Sequence, residues 1–281
     1  MAAPRSAERF FFVHVMKTGG TSFVFHLLRN FEPNEVYPSE ARDRRHPSDV
    51  EPYASIPDLL GLSPDRVAEV RVFAGHFPYM VCDLIDADLV TMTLLREPVQ
   101  RSVSVLKHFK RLFARYADLS LDEIYDDPLV FRNFVENYQT KVFALTPEDH
   151  PQAFVSKLSY QEIFARLGEP RASDGRDSSS HGGADTITID ADRLARAKGN
   201  LDAVHVVGLN DGYRDFVDEL RARFGWWSAG LDDRARANVS EEPWVAGASL
   251  RARIASDNRF DMDFYEHARE LVAIRRSNLE R

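Results

Sequence analysis

The chain has 281 residues, 44% of them hydrophobic and 28% charged, an ordinary globular composition that predicts a single domain, 1–281, with a substantial core. Its net charge of -8 argues against a protein that coats nucleic acid, which needs a broad basic surface, so no nucleic-acid partner is expected. Cys82 is the only cysteine, which excludes an intramolecular disulfide and a cysteine-based zinc site and fits a reducing compartment.

The first ten residues lead into an apolar run of about six, too short for a signal-peptide core or for a span of about 20 residues. No transmembrane anchor and a cytoplasmic location are expected. The run itself, FFFVHV at 10–15, is continuous, aromatic and β-branched, the pattern of a buried strand in a parallel sheet. A turn follows, and Thr21 and Ser22 then open an apolar helix through Leu28. From Asn30 to Pro64 the chain is rich in Pro, Arg, Asp and Ser, and Pro33, Pro38, Pro47, Pro52 and Pro57 forbid a long helix; a surface excursion is predicted.

VRVFA at 70–74 predicts a second strand, stopped by Gly75 and Pro78 with His76 at its carboxyl edge. DLVTMTLL at 88–95 predicts a third, running into Arg96, Glu97 and Pro98. Proline suits the first position of a helix, which continues to about Tyr116. Residues 118–167 read as helical, broken at Pro128 and near Pro147 and Pro151. Residues 171–185 are Gly/Ser/Asp-rich and almost without apolar side chains, predicting a mobile loop. AVHVVGL at 203–209 predicts another strand, followed by the amphipathic helix GYRDFVDELRARFGWW, a polar loop from Ser228 to Pro243 and a closing helix, MDFYEHARELVAIRR. Strands alternating with helices predict an α/β fold, a parallel sheet with right-handed crossovers.

Chemistry concentrates at two places. Lys17, Thr18, Gly19, Gly20, Thr21 and Ser22 can offer backbone N–H groups, hydroxyls and an ammonium to a phosphate-like group at a helix start, where the dipole also favours negative charge. The spelling is not that of a Walker A loop, in which the lysine follows the glycines. A tight Gly-Gly turn with an incidental lysine is the alternative. In LLREPVQRSVSVLKHF at 94–109, Arg96 leaves a strand and Ser104 lies two helical turns later. A guanidinium fork and a hydroxyl so placed suit a second phosphate, and two such sites at the carboxyl ends of neighbouring strands point to a doubly phosphorylated nucleotide. An Arg-Glu surface pair and a helix serine are the bland reading of the same residues.

These residues carry a resemblance. HVMKTGGTS resembles the 5′-phosphosulfate loop of sulfotransferases that use 3′-phosphoadenosine 5′-phosphosulfate (PAPS), in the H-[IV]-P-K-T-[AG]-G-T-[ST] version of the heparan sulfate and uronyl 2-O-sulfotransferases and their bacterial relatives. LREPVQRSVSVLKHF resembles the 3′-phosphate motif of that family, R-[DE]-P-[VI]-x-R-x-x-S. AGHF, NYQTK at 137–141, the VVGL strand and the DFYEHA helix are similar to further segments of the family, in the same order. Met16 stands where the family has proline, and Ala74 where some animal members have a second histidine.

The resemblance implies a P-loop-like, three-layer sulfotransferase architecture and a PAPS donor converted to adenosine 3′,5′-bisphosphate, with no metal. It implies Lys17 at the departing phosphate oxygen, the loop amides with Thr21 and Ser22 at the 5′-phosphate, and Arg96 with Ser104 at the 3′-phosphate. It also implies His76 as the base that takes the acceptor proton, with His108 in reserve and Glu97 disfavoured beside phosphates. The acceptor is expected to be a hydroxyl of a glycan, glycolipid or small molecule, a carbohydrate or glycoconjugate first; its identity and the oligomeric state are not legible. A magnesium-dependent nucleotide kinase and a non-catalytic nucleotide-binding protein are the alternatives. A polar loop around Asn238 and Ser240 is expected to close over the nucleotide. Ser104, His108, Arg111 and Arg115 recur at helical spacing, either as a cationic stripe that guides an anionic ligand or as a solvated helix face.

Overall fold

A computed structural model describes residues 8–38, 56–149, 187–226 and 244–279. Five parallel strands, β1 (Arg9–Val13), β2 (Val36–Tyr37), β3 (Val72–Phe73), β4 (Leu89–Leu95) and β5 (Val206–Leu209), form one sheet in the order β2-β3-β1-β4-β5. Central β1 has Phe10, Phe11, Phe12 and Val13 all fully buried, which explains its unbroken apolar run: helices cover both of its faces. Successive side chains serve opposite cores. Phe10 and Phe12 pack with Phe23, Leu27 and Phe216 on one side; Phe11 and Val13 join Leu106, Phe109 and Ala197 on the other. At about 1.5–3 kcal/mol for each buried phenylalanine, this strand is a firm base for the loop that leaves it.

The helices that matter for the site are α1 (Gly20–Asn30), α2 (Pro98–Leu112), α3 (Tyr138–Ala144), α4 (Ala191–Asp202), α5 (Tyr213–Phe224), α6 (Ala248–Asp257) and α7 (Arg259–Leu279). The chain leaves β1 towards β2 and β3 on one side of it, and leaves β4 towards β5 on the other. The carboxyl ends of β1 and β4 therefore flank a topological switch point, where open α/β sheets place their ligands.

The expected strands and the main helices are present, shorter at several ends. The excursion from Asn30 to Pro64 is corrected in part: it contains the edge strand β2 and the short helix Ile56–Leu60. The stretch predicted as helical from 118 consists, as far as 149, of short turns of helix and α3. Helices α4 and α6 add to the expected set; α4 is capped by Asp190, whose side chain accepts from the Arg193 amide. The loop at 171–185, the loop with Asn238 and Ser240, Pro151 and Trp227 lie outside the described residues. Among the described residues no helix is long and apolar enough to cross a membrane.

Candidate functional site

Because all five strands run the same way, the segments after β1, β3, β4 and β5 emerge at one edge of the sheet. Between β1 and α1 the backbone takes an unusual path: Lys17 has φ 66° and Gly19 φ 104°. The first is uncommon for a residue with a side chain and is held by its neighbours. Thr18 Oγ1 donates to Val15 O at 2.8 Å, Asn210 Nδ2 donates to Thr18 O at 2.8 Å, and Arg96 Nη1 donates to Lys17 O at 3.4 Å. Each glycine has its own reason. A Cβ at Gly19 would stand 2.7 Å from Asn210 Nδ2, and one at Gly20 1.9 Å from His14 Nε2. Helix α1 starts at Gly20 with no side chain capping it and no acid in its first turn, and Thr21 and half-buried Ser22 follow there. Among the described residues its first amides thus have no capping side chain, the arrangement found at helix starts that bind phosphate.

Helix α2 begins differently. Glu97 caps it, accepting from the amides of Val99 and Gln100 at 3.0 and 2.8 Å. The first amides of α2 are therefore occupied by the protein's own carboxylate, unlike those of α1. Arg96 is half-buried, and its Nε is buried with no protein partner. The face of α2 that follows lies against the first loop: fully buried Arg101 donates to Met16 O at 3.4 Å and to Phe134 O at 2.6 Å, with its guanidinium 4.7 Å from the Tyr138 ring centre. Half-buried Ser104 and His108 are the next residues of that face.

The two candidate bases differ in which nitrogen they present. His76 Nδ1 lies 2.8 Å from His14 O, and a carbonyl only accepts, so Nδ1 carries the hydrogen and Nε2 the lone pair. In His108 the roles reverse. Arg111 Nη2 lies 3.3 Å from Nδ1 and only donates, which puts the hydrogen of the neutral ring on Nε2. Burial is the main cause that lowers both pKa values, to about 4 for His76; the Lys17 charge lowers both further, so both rings lie within its field. His14, buried beside β3, stacks on His76 with ring centroids 3.9 Å apart.

The segment NYQTK proves to be a clamp. The Gln139 side chain accepts from Arg96 N at 3.0 Å and donates to Arg96 O at 2.8 Å, pairing both backbone groups of one residue. Asp261, at the start of α7, accepts from the Gln139 amide at 3.2 Å and from the amide and hydroxyl of Thr140 at 2.8 and 2.7 Å. Asn137, at φ 45°, accepts from the amides of Phe260 and Asp261 at 3.1 Å each. All of these polar side chains are buried, so each bond replaces one that water cannot supply.

The cationic stripe is shorter than its spacing predicts. Arg115 is paired with Asp127 at 2.8 Å, and Asp127 also accepts from Tyr116 Oη. Lys110 is buried and donates to Ala117 O and Leu119 O, closing the end of α2. Arg111 stays exposed beside His108. Trp226 is core, packed against Phe10 and Phe31.

Lys17, Thr18, Gly19, Gly20, Arg96 and His76 thus come together at one edge of the sheet, with Ser104 and His108 on the helix that leaves it and His108 within the field of Lys17. Sequence reasoning missed His14, Arg101, Asn210 and the role of Gln139. Arg101 sits inside the quoted R-[DE]-P-[VI]-x-R-x-x-S pattern, and Asn210 directly follows the VVGL strand; both were visible as residues but not as contacts. No protein-family model matches the chain, and no curated protein matches it significantly.

Proposed function

We propose that this chain is a P-loop-like sulfotransferase that moves the sulfuryl group of PAPS to a hydroxyl of an acceptor. The observation that carries the reading is the pairing, across the β1/β4 switch point, of an uncapped helix start with a half-buried arginine whose Nε is buried and unpartnered. Two anion positions built so differently suit one ligand with a phosphosulfate at one end and a phosphate at the other. The amides of Gly20, Thr21 and Ser22 take the 5′ group, and Arg96 with Ser104 takes the 3′-phosphate.

In the transfer, the acceptor oxygen forms a bond to sulfur as the bond from sulfur to the bridging phosphate oxygen breaks. The departing oxygen keeps the electron pair, and Lys17 stabilises that charge. The acceptor proton goes to His76 Nε2, the lone-pair nitrogen of its ring. His108 presents a hydrogen at its Nε2 and so serves the anion instead of the proton. The acceptor class, a carbohydrate or glycoconjugate hydroxyl, rests on the sequence resemblance.

A transfer screen with radiolabelled PAPS over glycans, glycolipids, phenols and peptides tests the reading. Label in one acceptor class, lost in His76→Ala while adenosine 3′,5′-bisphosphate still binds, is the expected result. No transfer to any class leaves a binding protein, and retained turnover in His76→Ala removes His76 as base.

A further inference from the structure

Arg96 follows β4 directly, just beyond the β4–β5 register that ends at Leu95 opposite Leu209, with Leu95 O accepting from Asn210 N at 2.7 Å. The N–H and the C=O of Arg96 itself are both engaged by the fully buried Gln139. Gln139 is in turn tied to α7, because Asp261 accepts from its amide and from both donors of Thr140. The start of α7 is closed onto the same segment through Asn137 Oδ1, while Asn258 Oδ1 accepts from the Asn137 amide at 2.7 Å. Gln139, Thr140, Asn137, Asn258 and Asp261 thus form one buried network between α3 and α7, and within it Gln139 is the side chain that touches the backbone of Arg96. None of them reaches the guanidinium itself, which is turned towards Lys17 O.

We propose that Gln139 is a positioning residue for Arg96, and that the Asp261–Thr140–Gln139 chain sets how strongly the site prefers a nucleotide bearing a 3′-phosphate; this rests on the nucleotide reading above. A side-chain amide that pairs the N–H and the C=O of one residue holds the two peptide units on either side of its Cα, and so the direction in which its Cα–Cβ bond leaves the chain. A guanidinium fork is worth most when its plane is fixed before the anion arrives. Loosening the Arg96 backbone therefore weakens the 3′ contact more than the 5′ contact, whose amides belong to α1 and whose loop Arg96 touches through Lys17 O.

The test is isothermal titration of the full chain with adenosine 3′,5′-bisphosphate and with adenosine 5′-monophosphate, whose affinity ratio isolates the 3′-phosphate. Gln139→Met, neutral and similar in shape, is expected to lower the ratio about fivefold, the equivalent of about one net hydrogen bond, with 5′-monophosphate affinity nearly unchanged. Thr140→Val, which removes only the hydroxyl bond to Asp261, lowers it in the same direction by less. A purely structural role lowers the melting temperature and leaves the ratio alone. An unchanged ratio in folded Gln139→Met overturns the proposal; where that variant does not fold, an unchanged ratio in Thr140→Val does so. A wild-type ratio near one removes the nucleotide reading itself, whereas a high wild-type ratio that no variant alters removes only the role of Gln139.

Discussion

The His14 carbonyl accepts the Nδ1 hydrogen of His76 at 2.8 Å, while the His14 imidazole stacks on the His76 ring at 3.9 Å. One residue thus sets both the tautomer and the plane of the other. Burial, with Lys17 adding to it, holds the His76 pKa at about 4, below the ordinary 6.5. His76 is therefore neutral throughout the neutral range, and the acid limb of kcat/KM, which reports the free enzyme, is expected well below pH 6. Bound donor brings negative charge that favours the imidazolium, so the limb of kcat lies higher. The stability effect has a definite sign. Between pH 6.5 and about 4 the unfolded histidine binds a proton that the folded one does not, so the stability it confers is full above 6.5 and falls as pH drops towards 4. Paired pH–rate profiles check this; a kcat/KM limb at 6.5 contradicts it.

Gly20 and His14 are coupled by space. Gly20→Ala puts a methyl 1.9 Å from His14 Nε2, and the imidazole is hemmed in by His76. Overpacking of this kind costs about 1–3 kcal/mol. The double variant Gly20→Ala/His14→Ala is expected to be more stable than the sum of the single effects predicts. Chemical denaturation of the four proteins of the cycle reads the coupling, and strict additivity argues against the contact.

Glu97 is a helix cap by geometry, with both carboxylate oxygens on the amides of Val99 and Gln100. Glu97→Ala is expected to cost about 1 kcal/mol of stability, the worth of a lost cap. Glu97→Gln retains an acceptor and should keep sulfuryl transfer close to wild type, which no catalytic base would. Turnover lost in Glu97→Gln with stability intact would reassign it.

Arg111 and Arg115 should respond differently to charge reversal. Arg115→Glu faces Asp127 in place of its ion pair, so its effect falls on stability, by about 1 kcal/mol for a partly exposed pair. Arg111→Glu, exposed beside His108, is expected to raise the Michaelis constant for donor or acceptor, more at low salt than at high salt. Equal Michaelis constants for Arg111→Glu and wild type show a merely solvated face.

The elements legible in the sequence are those whose burial is complete and local. β1 announces itself because a strand covered on both faces is apolar at nearly every position, β4 because apolar residues surround its two threonines, and the glycines after β1 mark a turn too tight for a Cβ at either. β2 was not legible: two residues inside a proline-rich stretch become a strand only through β3, 36 residues on, as the register Val36 to Val72 shows. The clamp at Gln139 was hidden for the same reason, since its partners are Arg96 and Asp261, 43 and 122 residues away. Glu97 followed by proline at a helix start was a readable capping signal, and Asp190 before α4 was another. His14 lies inside the apolar run at 10–15, and its contacts with Ala74 O and the His76 ring come from the segment after β3, some 60 residues on.

Whether the α1 start and Arg96 serve the two ends of one nucleotide is decided by thermal-shift titration. Adenosine 3′,5′-bisphosphate at about a hundred times its dissociation constant is expected to add about 2.7 kcal/mol of stability, a rise of several degrees in Tm that Lys17→Ala and Arg96→Ala each reduce. Stabilisation by ATP with magnesium and none by the bisphosphate would exclude a 3′-phosphate site at Arg96.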